Sequence, residues 1–228
     1  MMHFDFEAVN RSLSYLAKGL VFSFELTAIA FVCGLALGIV LAIVRELKVP
    51  VLWRLIVGYV TLMRSIPLIL VLFWFFFLIP LLLGMLASAG HPIPLGQRFT
   101  AFVTFSLFEA AYFSEIIRSG LNAIPRGQYQ ASRALGLSTV SMYRSVIIPQ
   151  VLGITAPIIV SQVINLFQDT ALVYVISLTD FLGAASQIAQ RDSRIVEMYV
   201  TVAVVYLVLC SLGSEISDRL KAKMEQGR

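Results

Sequence analysis

The chain has 228 residues, of which 59% are hydrophobic and 13% are charged, with a formal net charge of +4 and a mean hydropathy of +0.88. Because an ordinary soluble domain carries about 25% charged residues, this composition excludes a typical soluble globular domain and indicates a protein of the lipid bilayer. The two cysteines, Cys33 and Cys210, lie inside apolar runs and fit neither a disulfide framework nor a metal motif, so we predict that they act as small hydrophobic residues.

Five apolar segments are long enough to cross a bilayer as helices. The first, Gly19–Val44, has 26 residues, which is the length of a membrane span rather than of a signal-peptide core, and we expect it to be retained. The other four spans are predicted at about Ile66–Leu83, Phe99–Ile117, Val151–Ile176 and Val196–Ile216.

These spans indicate a single membrane domain over residues 19–217, in which no internal repeat is evident. A mildly amphipathic segment at residues 1–18 precedes it and is predicted to lie at the membrane interface, and a charged cytoplasmic tail at residues 218–228 follows it. Between the spans, Val51–Met63 is predicted to be amphipathic, whereas Gly84–Arg98 is turn-rich and Thr179–Arg194 is polar, as connections commonly are.

The longest polar and basic interruption in the second half of the chain, at about residues 127–149, has the local pattern of a helical hairpin. Its first helix begins near Gly127 and is predicted to stop at Gly136, since glycine favours the position after a helix end. Ser138 can cap a second helix, which we expect to end at Pro149. A structured hairpin between two membrane spans suggests a docking surface for a soluble protein.

The distribution of Lys and Arg predicts how the chain crosses the membrane. With five spans the termini lie on opposite sides, and one side then holds twelve basic residues against five on the other. The hairpin and the C-terminus are therefore predicted to be cytoplasmic, and the N-terminus to face outward. The twelve are Arg45, Lys48, Arg54, Arg64, Arg118, Arg126, Arg133, Arg144, Arg219, Lys221, Lys223 and Arg228, and the five are Arg11, Lys18, Arg98, Arg191 and Arg194.

The hairpin also carries a spaced motif that resembles the cytoplasmic coupling loop of ATP-binding-cassette import permeases. That loop has the form Glu-Ala-Ala, three residues, Gly, nine residues, Ile, one residue, Leu-Pro. This chain departs from it mildly, with Gln for Glu, Ser for the second Ala, and aliphatic exchanges near the end. The matching positions are Gln130, Ala131, Ser132, Gly136, Val146, Ile148 and Pro149.

Three further segments resemble the polar amino-acid uptake branch of these permeases. They are Met63–Pro67, Ala111–Arg118 and Phe167–Leu172. Two stretches, Phe108–Tyr112 and Phe167–Thr170, look most similar to glutamate/aspartate import permeases. The resemblance implies an all-α integral membrane fold with five transmembrane helices and a coupling-helix hairpin, the type I importer permease fold. It also implies import of a polar amino acid into the cytoplasm across a bacterial inner membrane, glutamate or aspartate first and an Arg-, His- or Gln-type cargo as the alternative.

The same resemblance implies several partners for this chain. These are two ATPase subunits, a second permease subunit in a homo- or heterodimer, a periplasmic amino-acid-binding protein and the surrounding membrane lipid. The sequence also indicates that ATP is hydrolysed by another subunit, because the chain has no Gly-x-x-x-x-Gly-Lys-Ser/Thr phosphate loop and no acidic cluster for a nucleotide's magnesium. We therefore expect ATP and Mg to be bound by the partner ATPase, and no cofactor or metal by this chain.

Ionisable and polar side chains at membrane depth are functional candidates, since each is costly in lipid unless it is paired or hydrated. Glu109 lies about 15 Å into the third span, from a rise of about 1.5 Å per residue, where it either contacts cargo or makes a structural hydrogen bond. Gln162, Asn165 and Asp169 form one polar stripe on the fourth span, which lines a pathway or bonds to neighbouring helices. Two further pathway candidates are Tyr112 and Thr170.

Other polar residues have simpler interpretations. Glu115 and Arg118, three apart on one helix face, are predicted to form a structural ion pair at the start of the hairpin, with contact to the cargo as the alternative. Arg64 is predicted to snorkel to the cytoplasmic surface, with a gating role as the alternative. No Lys or Arg stands well inside any span, so the sequence does not explain a preference for acidic cargo. Tyr129, Met142 and Tyr143 either fill an ATPase groove or pack against the membrane domain.

Other classes of function are disfavoured. A secondary transporter or channel is disfavoured by five spans without a repeat and by the hairpin. An enzyme is disfavoured because the only histidines, His3 and His91, lie outside the spans and no catalytic set accompanies them. Nucleic-acid binding is not indicated, because membrane topology accounts for the basic residues.

Overall fold

The structure is a computed structural model that describes residues 5–87 and 91–226. This part of the chain contains eight helices, which we number in chain order. They are α1 (Phe6–Glu46), α2 (Leu52–Ser65), α3 (Leu68–Ala87), α4 (Gln97–Ala123), α5 (Arg126–Ala134), α6 (Thr139–Ile176), α7 (Phe181–Asp192) and α8 (Ile195–Gln226).

Five of these helices are long and apolar enough to cross a membrane, namely α1, α3, α4, α6 and α8. The prediction of five spans is thus confirmed, although α3 continues to Ala87, into the segment expected to be turn-rich. Between the first two spans, α2 is amphipathic as predicted and buries Ile56, Val60 and Met63, which lie on one helix face. Of the predicted connection at 84–98, residues 88–90 lie outside the described residues.

Helix α1 joins the predicted interfacial segment and the first span into one helix of 41 residues. At about 1.5 Å per residue it is about 61 Å long, twice the thickness of a bilayer's hydrocarbon core. Its second half packs along α4 through a stripe of small buried residues at Ala30, Gly34, Gly38 and Ala42. Whether residues 5–18 lie at the membrane interface stays a prediction, and residues 1–4 and 227–228 of the two predicted terminal segments lie outside the described residues.

Residues 181–192, which we expected to be a polar connection, instead form helix α7. Asp180 begins the helix, because its carboxylate accepts hydrogen bonds from the backbone N–H groups of Leu182 and Gly183 at 3.0 Å. The exposed Gln, Arg and Asp side chains gave this segment its polar composition, while a narrow face of small and apolar residues packs on α1 and α8. The buried members of this apolar core between α1, α7 and α8 are Ala8, Leu16, Phe181, Ala184, Ala185, Ile188, Ala189, Met198 and Val202.

The hairpin begins as predicted and ends differently. Helix α5 stops at Ala134, Gly136 adopts a left-handed conformation with φ +72°, and the Ser138 hydroxyl accepts a hydrogen bond from the Ser141 N–H at 3.2 Å. The second helix does not end at Pro149 but continues into the fourth span as α6. A wide π-turn at Tyr143–Ile147 precedes the proline, so the helix adjusts its hydrogen bonding just where Pro149 lacks an N–H donor.

Candidate functional site

A cavity of about 530 Å³ opens between the α2–α3 junction, α4 and α6. The break between α2 and α3 at Pro67 brings two helix ends into the wall, and the polar stripe of α6 forms the opposite side. The lining residues are Arg64, Ser65, Ile66, Pro67, Leu68, Ile69, Phe108, Tyr112, Gln162, Asn165, Gln168, Asp169 and Leu172.

Four of the six predicted pathway residues line this cavity together: Tyr112, Gln162, Asn165 and Asp169. The three on α6 share one wall because a helix of 3.6 residues per turn brings positions i, i+3 and i+7 to the same face. A polar face at membrane depth thus borders a space that can hold water or a polar molecule.

Glu109 lies behind this wall rather than on it. It is only 1% exposed and is absent from the cavity lining, and both of its carboxylate oxygens accept hydrogen bonds from Gln162 Nε2, at 3.2 and 3.1 Å. Of the two alternatives for Glu109, this geometry favours the structural hydrogen bond. The carboxylate fixes the amide of Gln162 at the cavity surface.

Thr170 does not line the cavity either. It is fully buried at the start of the 3₁₀ turn that ends α6, and its hydroxyl donates to the backbone oxygen of Phe167 at 2.7 Å. Its neighbour Asp169 reaches the cavity while Thr170 points into the protein, because adjacent residues on a helix face different directions. The prediction that Thr170 is a pathway residue is therefore not supported by its position.

Arg64 lines the cavity, a position that the sequence did not reveal. That it snorkels to the cytoplasmic surface or acts in gating stays a prediction, and in the structure its guanidinium carbon lies 5.6 Å from the centre of the Tyr112 ring while its side chain is 44% exposed. The signal that could have located it is Pro67, which breaks the helix three residues later, where α3 begins and packs against α4.

Glu115 is the centre of a charge cluster at the hairpin end of the spans. It accepts hydrogen bonds from Arg118 at 2.7 Å, as the spacing on α4 predicted, and from Arg45 of α1 at 2.9 Å. Arg64 Nη1 lies 4.0 Å from Glu115 Oε2. Arg45 was missed because it is 70 residues away in sequence, and only the packing of α1 against α4 brings the two together.

The motif positions of the hairpin divide into outward and inward residues. Gln130, Ala131, Gly136, Ile148 and Pro149 are exposed, and Val146 is half-buried. Ser132 is buried, and its hydroxyl donates to the backbone oxygen of Gln128 at 2.7 Å. Ser132 therefore faces the hairpin's own interior and is not available to a partner.

The three large side chains suggested as plugs for an ATPase groove form the interior of the hairpin instead. Met142 is buried, and the rings of Tyr129 and Tyr143 meet edge to face with centroids 6.3 Å apart. Burial in this cluster raises the pKa of the Tyr129 hydroxyl above its ordinary value. The most exposed apolar residues at the tip are Leu135 and Val140, 79% and 76% exposed, and their place on either side of Gly136 is the sequence signal that could have found them.

Comparison with known proteins gives matches along the whole chain. The profile of the family described as "Binding-protein-dependent transport system inner membrane component" matches residues 34–226. The glutamate/aspartate import permease protein GltK of Escherichia coli O6:H1 is 41% identical over 226 residues, covering 98% of this chain and 99% of that protein. The arginine transport system permease protein ArtQ of Bacillus subtilis is 32% identical, covering 97% of this chain and 99% of that protein.

Solved structures share the fold at lower identity. An amino acid ABC transporter crystallised with histidines has a chain that superposes with a TM-score of 0.85 at 24% identity, covering 97% of this chain and 100% of that one. A chain of the inward-facing MetNI methionine ABC transporter superposes with a TM-score of 0.73 at 22% identity, covering 93% and 97%. These likenesses establish the arrangement of helices that the sequence predicted.

Proposed function

The chain belongs to the family of binding-protein-dependent transport system inner membrane components, and from this membership we propose that it is the permease subunit of an ATP-driven importer for glutamate and aspartate. It is a multi-pass inner-membrane transport subunit rather than an enzyme. The observation that carries the proposal is that the hairpin directly connects α4 and α6, the two spans whose polar residues line the cavity.

The choice of cargo is supported by the similarity to GltK over nearly the full length of both chains. The more distant ArtQ is named for arginine transport, so another polar amino acid is the alternative cargo. In this proposal the cargo crosses the cavity in contact with Tyr112, Gln162, Asn165 and Asp169, while Glu109 holds Gln162 in place.

Membership of this family implies ATPase, binding-protein and second-permease partners. We propose that two permease subunits surround the pathway, that two ATPase subunits each receive one hairpin, and that a periplasmic protein delivers the amino acid. ATP and magnesium are then bound by the ATPases, and membrane lipid covers the remaining apolar faces. Exposed Leu135 and Val140 at the hairpin tip supply the apolar contact that the ATPase covers.

The continuity of α6 supports a mechanical link between hairpin and cavity. One helix runs from Thr139 in the hairpin to Gln162 at the cavity, about 35 Å at about 1.5 Å per residue. At the base of the hairpin α4 and α6 pack closely, since a Cβ placed on Gly120 would lie 2.4 Å from Thr155 Cγ2. Drawing two hairpins together on ATP binding would therefore tilt α4 and α6 as a unit and change the width of the cavity.

Reconstitution in proteoliposomes tests the proposal. The purified chain alone should transport no labelled glutamate, whereas the chain with its second permease, ATPase and loaded binding protein should show uptake that requires ATP. A vanadate-inhibited ATPase is the control for energy dependence. Uptake by this chain alone, driven by a sodium or proton gradient, would contradict the proposal.

A further inference from the structure

We propose that Arg64 is the residue in the cavity that binds a carboxylate of the cargo, and that it is held ready for this by a loose contact with Glu115. This inference rests on the proposed import of amino acids and adds a residue to which neither the motif comparison nor the polar stripe assigned a cargo contact. Three features of the structure support it: Arg64 lies in the cavity wall, Glu115 already has two closer arginine partners, and Asp169 lies on the opposite wall.

Among the described residues that line the cavity, Arg64 is the one cationic side chain. Its guanidinium carbon lies 5.6 Å from the centre of the Tyr112 ring, and Tyr112 is itself a lining residue. A guanidinium that lies over a ring keeps its planar edge of N–H donors open, and this edge matches a carboxylate in two parallel hydrogen bonds. Arg64 is therefore already oriented by an aromatic surface while its donors stay available.

Glu115 holds Arg64 only weakly, because two other arginines already satisfy it. Its Oε1 accepts from Arg118 at 2.7 Å and its Oε2 accepts from Arg45 at 2.9 Å, whereas Arg64 stands 4.0 Å from Oε2, the outer limit of an ion pair. When Arg64 turns toward a carboxylate in the cavity, Glu115 keeps both of its close partners. The exchange thus leaves no charge of the cluster unpaired.

The other lining residues complete a site for a zwitterion. Asp169 supplies an anionic group on the α6 wall, and Asn165 and Gln162 lie beside it on the same helix face. The ammonium group of an amino acid is attracted to the Asp169 wall and a carboxylate to Arg64, so the cavity orients the cargo between α2 and α6. Glu109, the other nearby acid, is engaged by Gln162.

The test compares Arg64→Gln, Arg64→Lys and Arg54→Gln in the complete transporter reconstituted with its ATPase, second permease and binding protein. Arg54 is the matched control, because it lies on the same helix and over Trp53 at 5.7 Å but does not line the cavity. Two rates are measured for each variant: uptake of labelled glutamate, and ATP hydrolysis stimulated by the loaded binding protein. Uptake of glutamine, which has only the α-carboxylate, is measured in parallel.

We expect Arg64→Gln to lower glutamate uptake at least about tenfold, the cost of a lost charge-assisted hydrogen bond, while stimulated ATP hydrolysis stays within about twofold. Arg64→Lys should show more uptake than Arg64→Gln, since Lys keeps the positive charge but lacks the planar fork of N–H donors. If the Gln variant fails to assemble with the ATPase, the Lys variant is compared with the unmodified complex instead. A parallel fall in glutamine uptake would place Arg64 on the α-carboxylate, and a fall confined to glutamate would place it on the side-chain carboxylate.

Three results would overturn the inference: unchanged uptake in Arg64→Gln, an equal loss of uptake and of stimulated ATP hydrolysis, or the same loss in Arg54→Gln. Each of these leaves the proposed import function intact. An unmodified complex that imports no amino acid would instead overturn the proposed function, and the assignment of Arg64 with it.

Discussion

Gly136, at the turn of the hairpin, illustrates how a single residue's role depends on its backbone. Small side chains at Ala131, Ser132 and Gly136 would let the hairpin seat closely against an ATPase if all three faced outward. In the structure Ser132 faces inward, and a Cβ on Gly136 would meet no atom of the described chain within 4 Å. What requires glycine within this chain is its φ of +72°, where a residue with a Cβ is strained.

This conformational role predicts different effects for two substitutions at Gly136. Val at this position should strain the turn by about 1–2 kcal/mol and uncouple uptake from ATP hydrolysis, whereas Asn, which tolerates the left-handed region, should retain most of the uptake. ATP-dependent uptake by the reconstituted complex measures the difference, with Gly127→Asn, at an open position of the same hairpin, as the control. Equal loss in both Gly136 variants would show that free space, rather than backbone conformation, is what the ATPase needs.

At the level of the helices, the close contact of α1 with α4 depends on the small-residue stripe Ala30, Gly34, Gly38 and Ala42. A Cβ on Gly34 would lie 2.9 Å from the Cβ of Glu109, and a Cβ on Gly38 would lie 2.8 Å from the Cβ of Phe113. Small residues every four positions let two helix backbones approach in a membrane, where close packing replaces the hydrophobic effect. This approach also brings Arg45 of α1 to Glu115 of α4.

A larger side chain in the stripe should separate these helices. Gly34→Leu is expected to destabilise the subunit by about 1–3 kcal/mol or more through overpacking, because the atoms that it meets include backbone that cannot move aside. Thermal melting of the detergent-purified protein measures the change. The control is Gly58→Leu on α2, where a Cβ meets no atom within 4 Å, and a melting temperature lowered equally in both variants would contradict the role of the stripe.

At the scale of the whole molecule, the cavity lies between two ends of the helix bundle that are held together by different contacts. At one end α7 and the first turns of α1 form an apolar core with α8. At the other end the Glu115 cluster connects α4 to α1, and the hairpin interior connects α4 to α6. The counts of basic residues, twelve against five, place the hairpin end in the cytoplasm in our proposal.

Labelling of single cysteines with a membrane-impermeant thiol reagent tests this orientation. With Cys33 and Cys210 replaced by Ser, Gly127→Cys in the hairpin should react only after the membrane is permeabilised, and Gln190→Cys on α7 should react in intact cells. Both positions are exposed on the protein surface, so a difference in labelling would report the side of the membrane rather than burial within the protein. The reverse pattern of labelling would invert the proposed topology.

The sequence was sufficient for those properties that are local along the chain. Span length, the amphipathic face of α2, the cap at Ser138 and the polar face of α6 each depend on residues within a few turns of one another. The helix period alone put Gln162, Asn165 and Asp169 on one face, and the cavity is lined by that face. Helix α7 was missed because its buried face is narrow and made mostly of small residues, while the exposed Gln, Arg and Asp side chains give the segment a polar composition.

Only the tertiary structure determined which of the polar residues face the cavity and which are buried behind it. The sequence places both Glu109 and Asp169 within predicted membrane spans. In the structure, however, Glu109 is buried behind Gln162, whereas Asp169 lines the cavity. Arg64 and Arg45 contact residues of α4 that are distant along the chain: Arg64 lies over Tyr112, and Arg45 donates to Glu115, 70 residues away. Such contacts follow from how closely whole helices pack, and this depends on side-chain volumes along the full length of both partners rather than on any local pattern.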